Sequence, residues 1–322
     1  MAANRRRMRL IPPDPVPLVT EELNVVTPDT QWVRVAPSQY EELREITLPI
    51  VPVTSATAGV TDLRQLRDLQ SEHDVRTNLG TLDGRRMRFT SAQTPTGVRR
   101  MIDNCVNANS VCCNFHSIND YVWCPSLYKR VTPDGISVIA YADAPPREGT
   151  WDDIYGLADV VDSYTTLPPR HMGWMMNRVF EFITLFSAAQ VELGVTLPVL
   201  TRLTGYNVWV NRKNHGILIT GWENATTNAV DDDSQRPAPY VMLARLSKVL
   251  GFVLWGFDER VTNADAVRYK ITRFLTICVD AANKENPFEV DFMHKQWKLL
   301  LKQLFGKPEF VDFDEQLQRA YA

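Results

Sequence analysis

The residues with the clearest chemical potential lie within 199–225. Asn207 ends a loop and carries a carboxamide oxygen, a donor that suits hard cations. Arg202, five residues earlier, cannot take a proton from a substrate, because its guanidinium stays charged. Gly221 has no side chain to offer a metal, and the acids that could stand in for one are Glu223, Asp231, Asp232 and Asp233. Two apolar runs, 208–210 and 217–219, flank a polar connection ending in Gly216, which is a hairpin signal. A run of three acids such as 231–233 is ordinarily a solvated loop. The stretch thus has a frame for positioning groups and few groups that do chemistry.

Long elements must hold that frame. Met175, Val179, Phe182, Ile183, Phe186 and Ala189 share one face of a helix over about 172–193, with Gly194 as its stop. Residues 240–255 are apolar all round, the character of a buried helix. Two amphipathic helices follow over 265–282 and 289–305, and a short one over about 313–320. Earlier in the chain, 32–35 and 46–51 read as strands. Leu63, Leu66, Leu69 and His73 recur at helical spacing and predict a helix over 61–79, ended by Gly80 and carrying Glu72. Residues 81–120 read as loop-rich. A hairpin follows, turning at Thr132-Pro133-Asp134-Gly135, and a short helix opens at Thr150-Trp151-Asp152-Asp153.

The 322 residues are 44% apolar and 23% charged with net charge −3, a globular composition that implies no broad attraction to nucleic acid. No run reaches the roughly 18 apolar residues that span a bilayer. The first residues have no apolar region behind Arg5, Arg6 and Arg7, so no signal peptide is expected in this sequence. With Arg9 these form a basic arm, read as solvated; weak contact with anionic lipid is the alternative. Four of the five cysteines, Cys105, Cys112, Cys113 and Cys124, lie within one 20-residue window, and Cys278 stands apart. Composition favours reduced buried thiols over a disulfide cluster, and a zinc site with His116 is the weakest reading because no C-x-x-C pair occurs.

The layout around Asn207 resembles the catalytic core of a protein kinase, in which a loop H-R-D-L-x-x-x-N leads through a hairpin to D-F-G. In that frame Leu200, Thr201 and Arg202 stand in the His, Arg and Asp places, while Leu203 and Asn207 match. Gly221, Trp222 and Glu223 stand where D-F-G would be. The resemblance implies an α+β, bilobal fold: an extension over 1–24, a small β-rich lobe with one main helix over 25–142, and a larger helical lobe over 143–322. It also implies that Glu72 sits in the place of an ion-pairing glutamate. Yet no glycine precedes Gly59 and no lysine precedes Lys129. The glycine-rich loop and strand lysine that hold a triphosphate are therefore missing.

The string Gly216-Ile217-Leu218-Ile219-Thr220-Gly221-Trp222-Glu223 is similar to the G-V-F-L-T-G-F-E type found in the rhoptry pseudokinase family of Toxoplasma, and the glycine-poor first part is most like its bradyzoite member. Membership implies secretion into the parasitophorous vacuole or cyst wall. It therefore implies a disulfide between two of Cys105, Cys112, Cys113 and Cys124, and makes the Asn224-Ala225-Thr226 sequon eligible for glycosylation. The expected function is recognition without catalysis, a scaffold or allosteric regulator whose protein partner the sequence does not name. No metal, cofactor or ATP is expected to bind. Arg34 or Arg44 is a poor single replacement for the lost phosphate ligands, and large side chains such as Trp222 are expected to fill the nucleotide space. The rivals are a nucleotide sensor, an unconventional kinase with relocated acids, and a wall component.

Overall fold

Antiparallel pairing dominates the first part of the chain. The computed structural model describes residues 32–54, 61–65, 74–82, 85–112, 116–142, 153–164, 166–194, 196–200, 202–226, 238–255, 265–283 and 288–307, all within one compact unit that begins at Trp32. Six strands form one antiparallel sheet: β1 (Val33–Arg34), β2 (Thr61–Gln65), β3 (Val75–Leu82), β4 (Arg85–Ala92), β5 (Ser126–Thr132) and β6 (Gly135–Ala142). Their order is β1-β5-β6-β4-β3-β2. The 61–79 segment is therefore not a helix; it supplies β2 and much of β3, while residues 66–73, Glu72 among them, lie outside the described residues. β3 and β4 pair along their full length, from Val75 opposite Ala92 to Leu82 opposite Arg85.

The main helix of this part falls in the stretch expected to be loop. After the short α1 (Tyr40–Arg44), α2 runs over Pro95–Cys112. Its start is locally encoded. The Thr94 hydroxyl accepts from the Gly97 N–H at 3.0 Å and donates to Asp74 Oδ1 at 2.8 Å, and Pro95 fits the first helical position. A Cβ at Gly97 would stand 1.9 Å from the Asp74 carbonyl oxygen, so glycine lets α2 press against the start of β3. Val98, Met101, Ile102 and Cys105 of α2 pack with Leu127, Val138 and Ala140 of the sheet.

The second part is mainly helical. It contains β7 (Ile154–Gly156), α3 (Leu157–Tyr164), α4 (Pro169–Leu193), β8 (Val199–Leu200), β9 (Val208–Asn211), β10 (Ile217–Ile219), β11 (Ala225–Thr226), α5 (Ala238–Trp255), α6 (Ala266–Ala281) and α7 (Val290–Phe305). β7 and α3 take the place of the helix expected to open at 150–153. Gly194 ends α4 in the left-handed conformation, φ 61°. Among the described residues α5 is long and apolar enough to cross a membrane, but most of it is buried in the core against α4 and α6. That core also takes in Phe180, Phe182, Phe186, Leu250 and Trp297. The whole is a mixed α+β fold.

The hairpin turn is tied to α4 by two imidazoles. His171 Nδ1 and His215 Nε2 lie 2.7 Å apart, both buried, and His215 takes φ 57°. Burial, then the nearby His171 and Arg178, pushes the His215 imidazole down to about 3. The unfolded chain would bind that proton near the ordinary 6.5 while the fold refuses it. Stability should therefore fall as pH drops from 6.5 towards 3, by several kcal/mol if this group acts alone. Asp153 works in the same direction. Burial alone would raise it, but hydrogen bonds from Lys213 and Arg212 outweigh that and hold its carboxyl low, so its contribution is lost in acid. Melting temperature against pH should be flatter for His215→Asn, which tolerates the left-handed backbone. Equal slopes would contradict the buried neutral imidazole.

Cys105, Cys112, Cys124 and Cys278 carry free thiols, and Cys113 and the Asp231–Asp233 acids lie outside the described residues. The disulfide expected from the resemblance is not formed among the described cysteines. Cys105 Sγ points to the Pro125 carbonyl at 3.5 Å and Cys124 Sγ to Asn109 Oδ1 at 3.2 Å. Burial raises two of the thiols: Cys105, helped by the neighbouring Cys124, goes well above its ordinary range, and Cys278 goes up to about 12.

Candidate functional site

Between the sheet and the helical part lies the cleft that the sequence frame points to. Alternation along β9 and β10 decides which side chains face it. Val208, Val210, Ile217 and Ile219 enter the helical core, leaving Trp209 on the other face. On β4, Phe89 packs at a tilt against Tyr141 on the opposite face, with ring centroids 6.3 Å apart, while Arg88 and Thr90 face the cleft. Trp123 arrives from the connection before β5. Its N–H donates to the Ile219 carbonyl at 3.0 Å, and the Ile219 N–H donates to Tyr121 O at 2.7 Å.

These placements converge on one arrangement. The Arg88 guanidinium carbon sits 4.4 Å from the Trp123 ring centroid and 4.7 Å from that of Trp209. All three side chains are buried, Arg88 to 4% exposure. A cation between two indoles at these distances is a cation–π sandwich, stronger when desolvated. The remaining cavity, lined by Thr77, Thr90, Asn104, Asn207, Gly221 and Glu223 among others, is about 40 Å³. That is room for water, whereas sites for drug-sized ligands run to about 300–1,000 Å³.

Asn207 is turned inward to structural work. Asn207 Oδ1 accepts from the Thr204 N–H at 3.2 Å and the Thr204 hydroxyl at 3.0 Å, and the Asn207 carbonyl accepts from the Thr220 N–H at 2.8 Å. Its Nδ2 occupies the space beside Gly221: a Cβ there would lie 2.3 Å away, at a backbone φ of 84°. Two carboxamides of α2 grip the next residues. The Trp222 N–H donates to Asn104 Oδ1 at 2.9 Å, and Asn107 Nδ2 donates to the Trp222 carbonyl at 2.8 Å. α2 is thus held to the hairpin's end by neutral hydrogen bonds.

The sequence expectations divide accordingly. Arg202 is exposed. Trp222 does not fill the cleft; it is fully buried in the helical core, with Nε1 donating to the Ile219 carbonyl at 3.1 Å. Arg34 reaches Ser126 Oγ, and Arg44 pairs with Glu41 and Asp103, so neither enters the cleft. Asn224 is half-buried and donates to Glu223 Oε1 at 3.3 Å, so a glycan there would require that side chain to turn outward. Among the described residues no group of three His, Cys, Asp or Glu side chains is placed to hold a metal. Residues 1–31, with Arg5, Arg6, Arg7 and Arg9, lie outside the described residues, as does His116's side chain. Sequence reasoning missed Arg88, Trp123 and Trp209. The one available signal for Trp209 was a tryptophan two residues after the retained asparagine.

No family model and no curated protein matches the chain. Among solved structures, the complex of Neurospora crassa PAN2 (WD40-CS1) with PAN3 (pseudokinase and C-term) contains a similar chain, at 9% identity over 83% of this chain and 68% of that one, with a TM-score of 0.45.

Proposed function

We propose that this chain is a bilobal, kinase-like protein that has lost phosphoryl transfer and acts by binding protein partners, as a scaffold or allosteric regulator. The observation that carries the reading is the Arg88 guanidinium between Trp123 and Trp209, with only about 40 Å³ left beside it. Phosphoryl transfer is positioning plus charge stabilisation of a bound triphosphate and its metal. Here Arg88, Trp123 and Trp209 fill the cleft, Gly221 offers no ligand, Asn207 is engaged with Thr204, and Arg202 cannot accept a proton. The sheet order and the α2 position support the same architecture.

Membership of the rhoptry pseudokinase family, with secretion into the vacuole or cyst wall, is part of the proposal and rests on the string from Gly216 to Glu223. The test is transfer of labelled γ-phosphate from ATP to the chain itself and to generic acceptors, with magnesium or manganese. Incorporation should equal that of a heat-denatured control. Time-dependent incorporation abolished by Asn207→Ala would favour an enzyme with relocated acids such as Glu223.

A further inference from the structure

The groove between α6 and α7 is open and apolar and shares no lining residue with the cleft. Ile277 is 39% exposed, Phe288 54%, Phe292 45% and Leu299 52%, and all four line one concavity of about 400 Å³. The Phe288 and Phe292 rings pack together with centroids 5.4 Å apart, so this edge of the groove is held in shape by its own residues. Large apolar side chains exposed singly need no explanation, but four converging on one concavity mark an interaction site.

We propose that this groove docks an acidic amphipathic helix of a partner protein. The occupant's chemistry follows from the rim: both charged side chains among the described lining residues, Lys270 and Arg273, are cations. Apolar side chains at i, i+3 or i+4 and i+7 of a guest helix fill such a groove, while its carboxylates meet the rim. A second copy of the chain, paired about a two-fold axis, would set the same cations against each other. A flat bilayer engages protruding side chains and would leave the concavity empty.

The proposal rests on the reading of the chain as a partner-binding protein, and the two fail separately. The probe is a fluorescein-labelled helical peptide with Leu at i, i+4 and i+7 and Glu elsewhere, titrated with the full chain by anisotropy. Its control is the same peptide with Lys in place of Glu. The acidic peptide should bind at least tenfold more tightly than the basic one, and weaken with salt. Phe292→Ser and Arg273→Glu, exposed positions whose variants should melt like the wild type, should each weaken it at least tenfold. Equal binding of the two peptides, or no effect of these variants, overturns the proposal. So does sedimentation with phosphatidylserine vesicles without peptide binding, or a dimer that Phe292→Ser dissolves. None of these outcomes would restore phosphate transfer, whereas transfer would remove the partner-binding reading itself.

Discussion

Truncating Trp222 to alanine should lower the unfolding free energy by about 3–5 kcal/mol, the range for emptying a large aromatic site in a core. The indole is wholly buried and is among the largest fully buried side chains of the described residues. Its neighbours come from several elements, so the hole closes poorly. The loss is chiefly one of packing, because the Ile219 carbonyl keeps its bond from the Trp123 N–H. The backbone bonds to Asn104 and Asn107 survive the truncation, so α2 should stay docked and the far-ultraviolet spectrum should be unchanged. Guanidinium unfolding would measure the effect. A cost under about 1 kcal/mol would mean that the ring is not seated in the core.

Supplying the missing acids, Arg202→Asp with Gly221→Asp, should yield no kinase and a less stable protein. The substitution at 202 changes an exposed side chain and should be nearly neutral. The substitution at 221 meets two obstacles. Its backbone lies at φ 84°, where a residue with a Cβ is strained by about 1–2 kcal/mol. The new Cβ would also stand 2.3 Å from Asn207 Nδ2, and Asn207 is buried and tied through Oδ1 to Thr204, so it cannot swing away cheaply. Overpacking of that kind adds about 1–3 kcal/mol. The double variant should thus lose roughly 2–5 kcal/mol in denaturant unfolding, with no phosphate transfer. A variant as stable as the wild type would show that the space at 221 is open.

The helical part was legible because its elements are long and their apolar residues recur at helical period. α4, α5, α6 and α7 begin and end within a few residues of where the pattern places them. In the sheet, β1 and the β5–β6 hairpin with its turn at Thr132–Gly135 were legible, whereas β2, β3 and β4 were not, and the reason is chemical. The sheet's inward faces carry Thr77, Arg88 and Thr90, so the period-2 signal of β3 and β4 is polar on the side that should be apolar. The leucines between 63 and 69 then mimicked a helix. α2 hid behind its asparagines, which are poor helix formers, although Thr94-Pro95 is a start signal. Those same residues, Asn104 and Asn107, are the ones that grip the hairpin's end. An arginine in a strand reads as surface, so nothing in the chain alone announced Arg88 as the cation enclosed by Trp123 and Trp209.

The closed cleft is tested most directly by calorimetric titration of the wild-type chain with millimolar ATP and magnesium or manganese. Bringing a triphosphate into a partly dry cleft is costly without cations and amides to meet it, and here Arg88, Trp123 and Trp209 leave about 40 Å³ of the cleft open. The titration should show no saturable heat. A saturable isotherm with a Kd below about 1 mM that disappears in Asn207→Ala would contradict the account, since such a ligand would contribute binding energy of at least ~4 kcal/mol at a site the fold has filled.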